Sequence, residues 1–314
     1  MIQLTISDDA AEQRMDRFLS KWLPQANKGF LMKMLRKKRI KLDGHRASPR
    51  DYLQKGQILT FYFSEETYRQ FRGQPAAPRE PGLPDSLKAL MQPPLYEDDR
   101  LIAVNKPAGL LTQPDHTGTP SLADLAKTLP HSGTFHPAPA NRLDRNTSGV
   151  VLIPKNYSTQ KQIVAAIEAH HACKSYWAIV AGKITRGAKL HSRLTKDATH
   201  NIVREETDGQ REARLRYQPL CSGDAASLIA IELGSGRSHQ IRVQLAGIGH
   251  PIVGDPKYGS RSHNREWAAL YGLHHQLLHA RRYTISELNI DVVAPPPERF
   301  CAVAEHLGLA LPRI

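Results

Sequence analysis

The sequence predicts a mixed α+β fold built on a mainly antiparallel sheet, preceded by a smaller basic unit. Three observations lead there. From Leu95 to about residue 290, apolar runs of strand length outnumber amphipathic helical stretches and do not alternate strictly with them. Residues 64–94 carry Pro75, Pro78, Pro81, Pro84, Pro93 and Pro94 with Gly73 and Gly82, a density that breaks regular elements and reads as a linker. Ahead of it, residues 1–60 hold 13 Lys/Arg against 6 Asp/Glu, a net +7 out of the +13 carried by all 314 residues. The expected organisation is therefore a first unit over 1–63, a proline-rich linker over 64–94 and a large unit over 95–314.

In the first unit, Arg14-Met15-Asp16-Arg17-Phe18-Leu19 with Trp22-Leu23 spaces its apolar residues as a helix does. A second helix is expected from Lys28 to Lys38, with Phe30, Leu31, Met34 and Leu35 as its apolar stripe. Its other face carries Lys33, Arg36, Lys37 and Lys38, continued by Arg39 and Lys41; Asp43 and Asp51 are the only acids between Lys28 and Lys55. A face so nearly of one sign suits phosphate contacts better than an ordinary solvated helix. Ile40-Lys41-Leu42, an Asp43-Gly44 turn and Ile58–Phe63 complete the unit as strands. Further on, LIAVN, GVVLIP, SYWAIVAG and SLIAIELG read as strands. Tyr157–His170 and Ser238–Ile248 read as helices.

The charge balance, with a pI near 9.7, calls for a polyanionic partner. No apolar run approaches the roughly 18 residues that span a bilayer. The opening MIQLTISDDAAEQ has no basic segment followed by an apolar one, so a secretory signal is not expected. Nucleic acid becomes the leading partner and the cytoplasm the expected compartment. Cys173, Cys221 and Cys301 are widely spaced and form neither a disulfide framework nor a zinc pattern. His274, His275 and His279 could place two imidazoles on one helical face, but no acid sits among them, and no metal is expected.

Four segments of the large unit hold polar residues where a plain core would not. They are Asn105-Lys106-Pro107-Ala108-Gly109, Asn141–Val150 (NRLDRNTSGV), Lys174-Ser175-Tyr176-Trp177, and Leu233–Val243 (LGSGRSHQIRV). Familiar chemistries drop out. GxxxxGK[ST] is absent, Gly234-x-Gly236 lacks the third glycine of a dinucleotide site, and Ser148 is in no GxSxG elbow. What remains is a lone acid, an aromatic and an arginine. Ser238 could cap the last helix, placing Arg242 in its second turn beside Ile241 and Leu245. A buried arginine requires a carboxylate, and Asp144 is the candidate. The residues alone leave open whether that pair is catalytic or purely architectural.

Asn141-Arg142-Leu143-Asp144-Arg145-Asn146-Thr147-Ser148-Gly149 resembles the H-R-L-D-x-x-T-S-G motif of RluA-type pseudouridine synthases. NKPAGLLTQP, KSYWAIVAG, LGSGRSHQIRVQLAGIGHPIVGDPKYG and LLHARRYTI follow in that family's order, so the resemblance spans roughly residues 95–290. In front, RMDRFLSKWLP, the basic second helix, RIKLDGHRA and LQKGQIL are similar to a small α/β S4-like RNA-binding domain. At Asn27-Lys28-Gly29 the serine that usually opens the second helix is missing.

The resemblance implies a pseudouridine synthase with Asp144 as catalytic aspartate, Tyr176 packed on the target base and Arg242 paired with the aspartate. Arg142, Lys106, His239 and Arg237 would serve RNA binding or the supporting structure, alongside Lys33, Arg36, Lys37 and Lys38. Asn141 and Gln244 stand where the family usually has histidines, a departure expected to change the RNA contacts or the target site rather than the reaction. Isomerising uridine breaks the N1–C1′ bond, turns the base and rejoins it through C5, with no atom or electron gained, so no cofactor is expected. A carboxylate suits capture or stabilisation of the sugar, and a flipped base requires an aromatic wall. Large-subunit ribosomal RNA is the expected target and a monomer the expected working unit. Transfer RNA, a non-catalytic assembly factor and an RNA glycosidase are the rivals, the last weakened by the lack of a second acid in these motifs.

Overall fold

The structure, a computed structural model, describes residues 1–7, 10–72, 85–91, 93–130, 135–197, 202–206 and 211–312. In the N-terminal part, β1 (Ile2–Thr5), α1 (Met15–Trp22), α2 (Lys28–Arg36), β2 (Ile40–Leu42), β3 (His45–Arg46) and β4 (Ile58–Phe61) build a four-stranded antiparallel sheet of order β1-β4-β2-β3. Met15, Phe18 and Leu19 of α1 meet Leu31 and Leu35 of α2 over Leu59 and Phe61 of β4, a core of its own. Asn27, not serine, opens α2: its side chain accepts from Phe30 N at 2.8 Å. Asp43 and Gly44 both adopt positive φ, 48° and 78°, and so make the two-residue turn that pairs Leu42 with His45.

The linker expectation is corrected at its start. Glu65–Arg72 is a helix, α3, and it belongs to the first core. Tyr68 and Phe71 lie three apart on one face. Tyr68 Oη accepts from Trp22 Nε1 at 2.8 Å, and Phe71 packs on Phe30 with ring centroids 4.3 Å apart. The prolines of this segment begin only at 75; Pro75, Pro78, Pro81 and Pro84 fall outside the described residues. On the far side, Asp85–Lys88 is a short helix, α4, whose Leu87 is buried in the large core.

The large part comprises β5 (Tyr96–Glu97), β6 (Leu101–Lys106), α5 (Leu122–Ala126), β7 (Ser148–Pro154), α6 (Tyr157–Glu168), β8 (Cys173–Ala181), β9 (Ala188–Asp197), β10 (Ile202–Glu205), β11 (Arg211–Ser222), β12 (Ala226–Leu233), α7 (Gln240–Gly247), α8 (Arg261–Tyr271), β13 (Leu278–Ile285), β14 (Ile290–Val293) and α9 (Glu298–His306). Nine strands run in the order β10-β9-β11-β12-β8-β13-β7-β6-β5, and β14 pairs with β13. Both faces of the central strands are covered, which is why they read as unbroken apolar runs. Val151, Ile153, Tyr176 and Ala178 face the core that holds Ile241 and Leu245 of α7. Val150 and Leu152 face Ile163 of α6, and Trp177 and Ile179 face Phe300 and Val303 of α9.

Among the described strands, the one parallel pairing is β7 with β13, and it lasts two residues, His279 opposite Ser148 and Ala280 opposite Gly149. Gly149 has φ 121°, and a Cβ there would lie 2.2 Å from the Ala280 carbonyl oxygen. Glycine is required because two backbones nearly touch.

Candidate active site

The Asp144 loop is clamped from behind before it enters β7. Lys106, fully buried at the end of β6, donates from Nζ to the carbonyls of Pro107 (2.9 Å), Leu110 (2.8 Å) and Arg145 (3.1 Å). Gly109 N and Arg145 Nε cross-bond the same two loops, and Thr112 Oγ1 donates to Leu143 O while accepting from Leu143 N. Burial holds the Lys106 pKa down to about 7, with the charge of Asp144 opposing the shift. The RNA contact expected of Lys106 is therefore corrected: its three donors are spent inside the fold. Asn141 completes the clamp. Its amide donates to Val150 O at 3.1 Å and accepts from Leu152 N at 2.8 Å, standing in for a strand residue along the edge that β13 leaves free.

Arg242 approaches from α7 and bridges two carboxylates. Its Nη1 donates to Asp144 Oδ2 at 3.0 Å, while Nε and Nη2 form a fork on Asp255 at 2.7 and 2.8 Å. Asp255 is fully buried and also accepts from Lys257 N and Tyr258 N. Burial alone would lower the pKa of Arg242, but the hydrogen bonds and charges of Asp255 and Asp144 outweigh it and raise it. Arg242 thus meets Asp144, the acid expected from the sequence, and binds the unexpected Asp255 more closely. Asp255 lies at Gly254-Asp255-Pro256, where the folded chain turns back past α7, and no spacing in the sequence points to it.

The N-terminus of α7 also departs from expectation. Ser238 is not its cap; His239 is, in the left-handed conformation (φ 53°) and with no side-chain cap bond. That bend leaves the ring free to bond Tyr258 Oη at 2.8 Å through Nδ1 and to place Nε2 4.0 Å from Asp144 Oδ2. Burial lowers the His239 pKa against the pull of Asp144. Gln244, by contrast, faces away from the loop: it is buried, donates to Ser192 Oγ and Ala213 O, and ties α7 to β9 and β11. Its departure from histidine is thus an internal matter of packing.

Asp144, 27% exposed at its side chain, opens into a cleft of about 1070 Å³. Tyr176 of β8 lines the same cleft with only 8% of its surface exposed; burial first, and then the charge of Asp144, raise its pKa. Arg142 and Arg237 are exposed on the rim, and Arg237 is steadied by donating to Glu212 O at 3.2 Å. Lys33, Arg36, Lys37 and Lys38 are all exposed on or just after α2, in the N-terminal part rather than at the cleft. An exposed ion pair, Lys161 of α6 with Glu12 at 3.0 Å, runs between the two parts and is of the kind that adds little stability.

The three histidines considered for a metal share no helix. His274 and His275 lie in the loop before β13, and His279 is in the strand, where burial lowers its pKa to about 4. His279 Nε2 must donate to Ala294 O, so Nδ1 accepts from Ser148 Oγ at 2.9 Å.

A mainly antiparallel sheet thus holds Asp144, a buried tyrosine and a forked arginine at one cleft, and comparison with known proteins places that arrangement in the class of RNA-modifying isomerases, the pseudouridine synthases. The family described as RNA pseudouridylate synthase matches residues 100–247. A ribosomal large subunit pseudouridine synthase D from Nitrosomonas europaea is 30% identical over 288 residues, covering 89% of this chain and 78% of that protein. One of the same name from Xylella fastidiosa is 27% identical and covers 97% of this chain and 92% of its own length. In fold, the human RNA Pseudouridylate Synthase Domain Containing 4 structure is similar, with a TM-score of 0.61 and 24% identity over 73% of this chain and 98% of that one. The chain belongs to the RluA-type pseudouridine synthase family.

Proposed function

We propose that this chain isomerises specific uridines of large-subunit ribosomal RNA in the cytoplasm, with Asp144 as the reacting carboxylate. The observation that carries the reading is the 3.0 Å bond from Arg242 to Asp144 at the foot of the cleft that Tyr176 lines. Arg242 is itself anchored by Asp255, so it presents a fixed cation to the carboxylate and leaves the other carboxylate oxygen available to the ribose. Tyr176 offers an apolar wall to a base turned out of its stack. Being buried and raised in pKa, it stays a neutral phenol at working pH. Asp144 stabilises or captures the sugar while the base turns, and no cofactor enters the balance.

The test is pseudouridine mapping of total RNA from cells with and without this protein. Loss of one or a few sites in large-subunit ribosomal RNA is the expected result. Loss confined to transfer RNA would move the target, and no loss in any RNA would remove the catalytic reading in favour of a binding factor.

Residues 1–72 are assigned as an S4-like RNA-binding domain, the helix Glu65–Arg72 included, with the proline-rich segment after it as the connector. Its exposed Lys33, Arg36, Lys37 and Lys38 would hold phosphates while the large domain takes the uridine. Deleting residues 1–72 is then expected to raise the KM for structured RNA and leave turnover on a short saturating stem-loop nearly unchanged, since Asp144, Tyr176 and Arg242 all lie beyond the cut. Steady-state kinetics on the two substrates decide it. A collapse of turnover at saturation would mean that the first domain helps to build the active site.

A further inference from the structure

One face of the β9–β11 strand pair carries cations that the fold itself does not use. Arg214 and Arg216 point to the exposed side of β11, in alternation with buried Ala213, Leu215 and Tyr217. Directly opposite them on β9 stand His191 and Lys189, also exposed: the register pairs Arg214 with His191 and Arg216 with Lys189. All four line the same cleft as Asp144 and Tyr176, and Arg237 stands on its rim. Like charges directly opposite across a ladder are destabilising, and Lys189 and Arg216 face each other in that way. Glu232 neighbours Arg216 on β12, yet among the described residues no ion pair joins them. Among those residues Glu212 is the one acid within ion-pair distance of the block, 3.9 Å from both Arg214 and His191, while Glu232 stands opposite Arg216 without closing on it. A protein that needed these strands only as scaffold would gain by neutralising one member of the pair.

The spacing has a matching partner. Residues two apart on a strand project about 7 Å apart on one face, comparable to successive phosphates along an extended nucleotide strand, and the antiparallel neighbour doubles the row. We infer that the exposed face formed by Lys189, Arg214 and Arg216 is a phosphate track for the single-stranded RNA flanking the target uridine. It is separate from the basic helix of the N-terminal domain. The inference rests on the RNA-isomerase reading and adds to it where the substrate strand runs after leaving Asp144. A phosphate backbone would neutralise Lys189 and Arg216 together, whereas Glu232 flanks Arg216 from the β12 side alone.

The experiment uses the full chain with Lys189, Arg214 and Arg216 all changed to glutamine. Its control changes the equally exposed Arg186, Arg261 and Arg265 to glutamine, which removes the same charge away from the cleft. Binding of a stem-loop RNA with a single-stranded flank is measured across a salt series, alongside thermal melting. Three lost contacts should flatten the log–log salt slope by about 2, at roughly 0.7 per phosphate, and weaken binding on the order of tenfold or more near physiological salt. The melting temperature should hold or rise. The control should keep a slope close to that of the unaltered protein. An unchanged slope in the track variant, or an equal loss in both variants, would overturn the track. Neither result bears on the reaction itself, whose failure would show instead as unmodified RNA in the mapping experiment with the unaltered protein.

Discussion

Replacing Asp144 by asparagine is expected to abolish isomerisation, with a rate loss on the order of 10,000-fold or more, the scale met when a nucleophile is removed from an otherwise intact site. The protein should nonetheless fold. Asp144 is partly exposed, and Arg242 keeps its fork on Asp255 when the neighbouring carboxylate becomes an amide. The cost is the weakening of one charge-assisted hydrogen bond, about 1–2 kcal/mol. RNA affinity should stay close to that of the unaltered protein, because the exposed cations of the cleft and of the first domain are untouched. A single-turnover assay, a melt and a binding curve on the same preparation separate these effects. An Asp144→Asn variant that still turned uridine over would remove Asp144 from the reacting role.

The second large effect belongs to Arg242. Changing it to alanine leaves the fully buried Asp255 carboxylate, among the described residues, with the amides of Lys257 and Tyr258, and should cost about 3–5 kcal/mol of stability, as breaking one side of a buried pair does. Activity should fall as well, since Asp144 loses its fixed cation. The decisive companion is Asp255→Ala, not a change at Asp144. Arg242→Ala with Asp255→Ala should regain part of the loss, whereas Arg242→Ala with Asp144→Ala should regain little, because Asp144 can still reach water. Denaturant unfolding of the singles and doubles gives the coupling energies directly. Additive losses for the Arg242 and Asp255 changes would show that the fork contributes nothing beyond two separate residues.

The sequence carries the sheet well and the site unevenly, for reasons that lie in particular residues. Val150-Val151-Leu152-Ile153 reads as a buried strand because both faces of β7 are covered, so every position is apolar. Asp144 and Arg242 are legible as a pair because a charge on an apolar helix face demands a partner. Asp255 is not, since only the folded turn after α7 returns it to the arginine. Lys106 misleads because a lysine is read as a surface residue. Its burial is compensated by the carbonyls of Pro107 and Leu110 and that of Arg145 in the Asp144 loop, and no periodicity encodes that. His239 in a left-handed conformation could not be foreseen either, as a serine beside it offered the commoner cap. The helix Glu65–Arg72 was hidden by its company: a short amphipathic stretch just ahead of a proline cluster takes on the character of the cluster.

The two-residue parallel seam between β7 and β13 also governs when the enzyme comes into being. β13 lies between β8, which carries Tyr176, and β7, which the Asp144 loop enters. It begins only at Leu278, about 130 residues after its partner Ser148, so the strand that joins the two halves follows Asp144, Tyr176 and Arg242 in the chain. Until it arrives, the halves bearing Asp144 and Tyr176 have no strand to join them, and a contact this distant in sequence forms late. A nascent chain that has emerged only to residue 277 therefore has every residue of the reacting trio but no shared sheet to hold them together. Assembly of the site thus depends on a strand that follows all three of its residues in the chain.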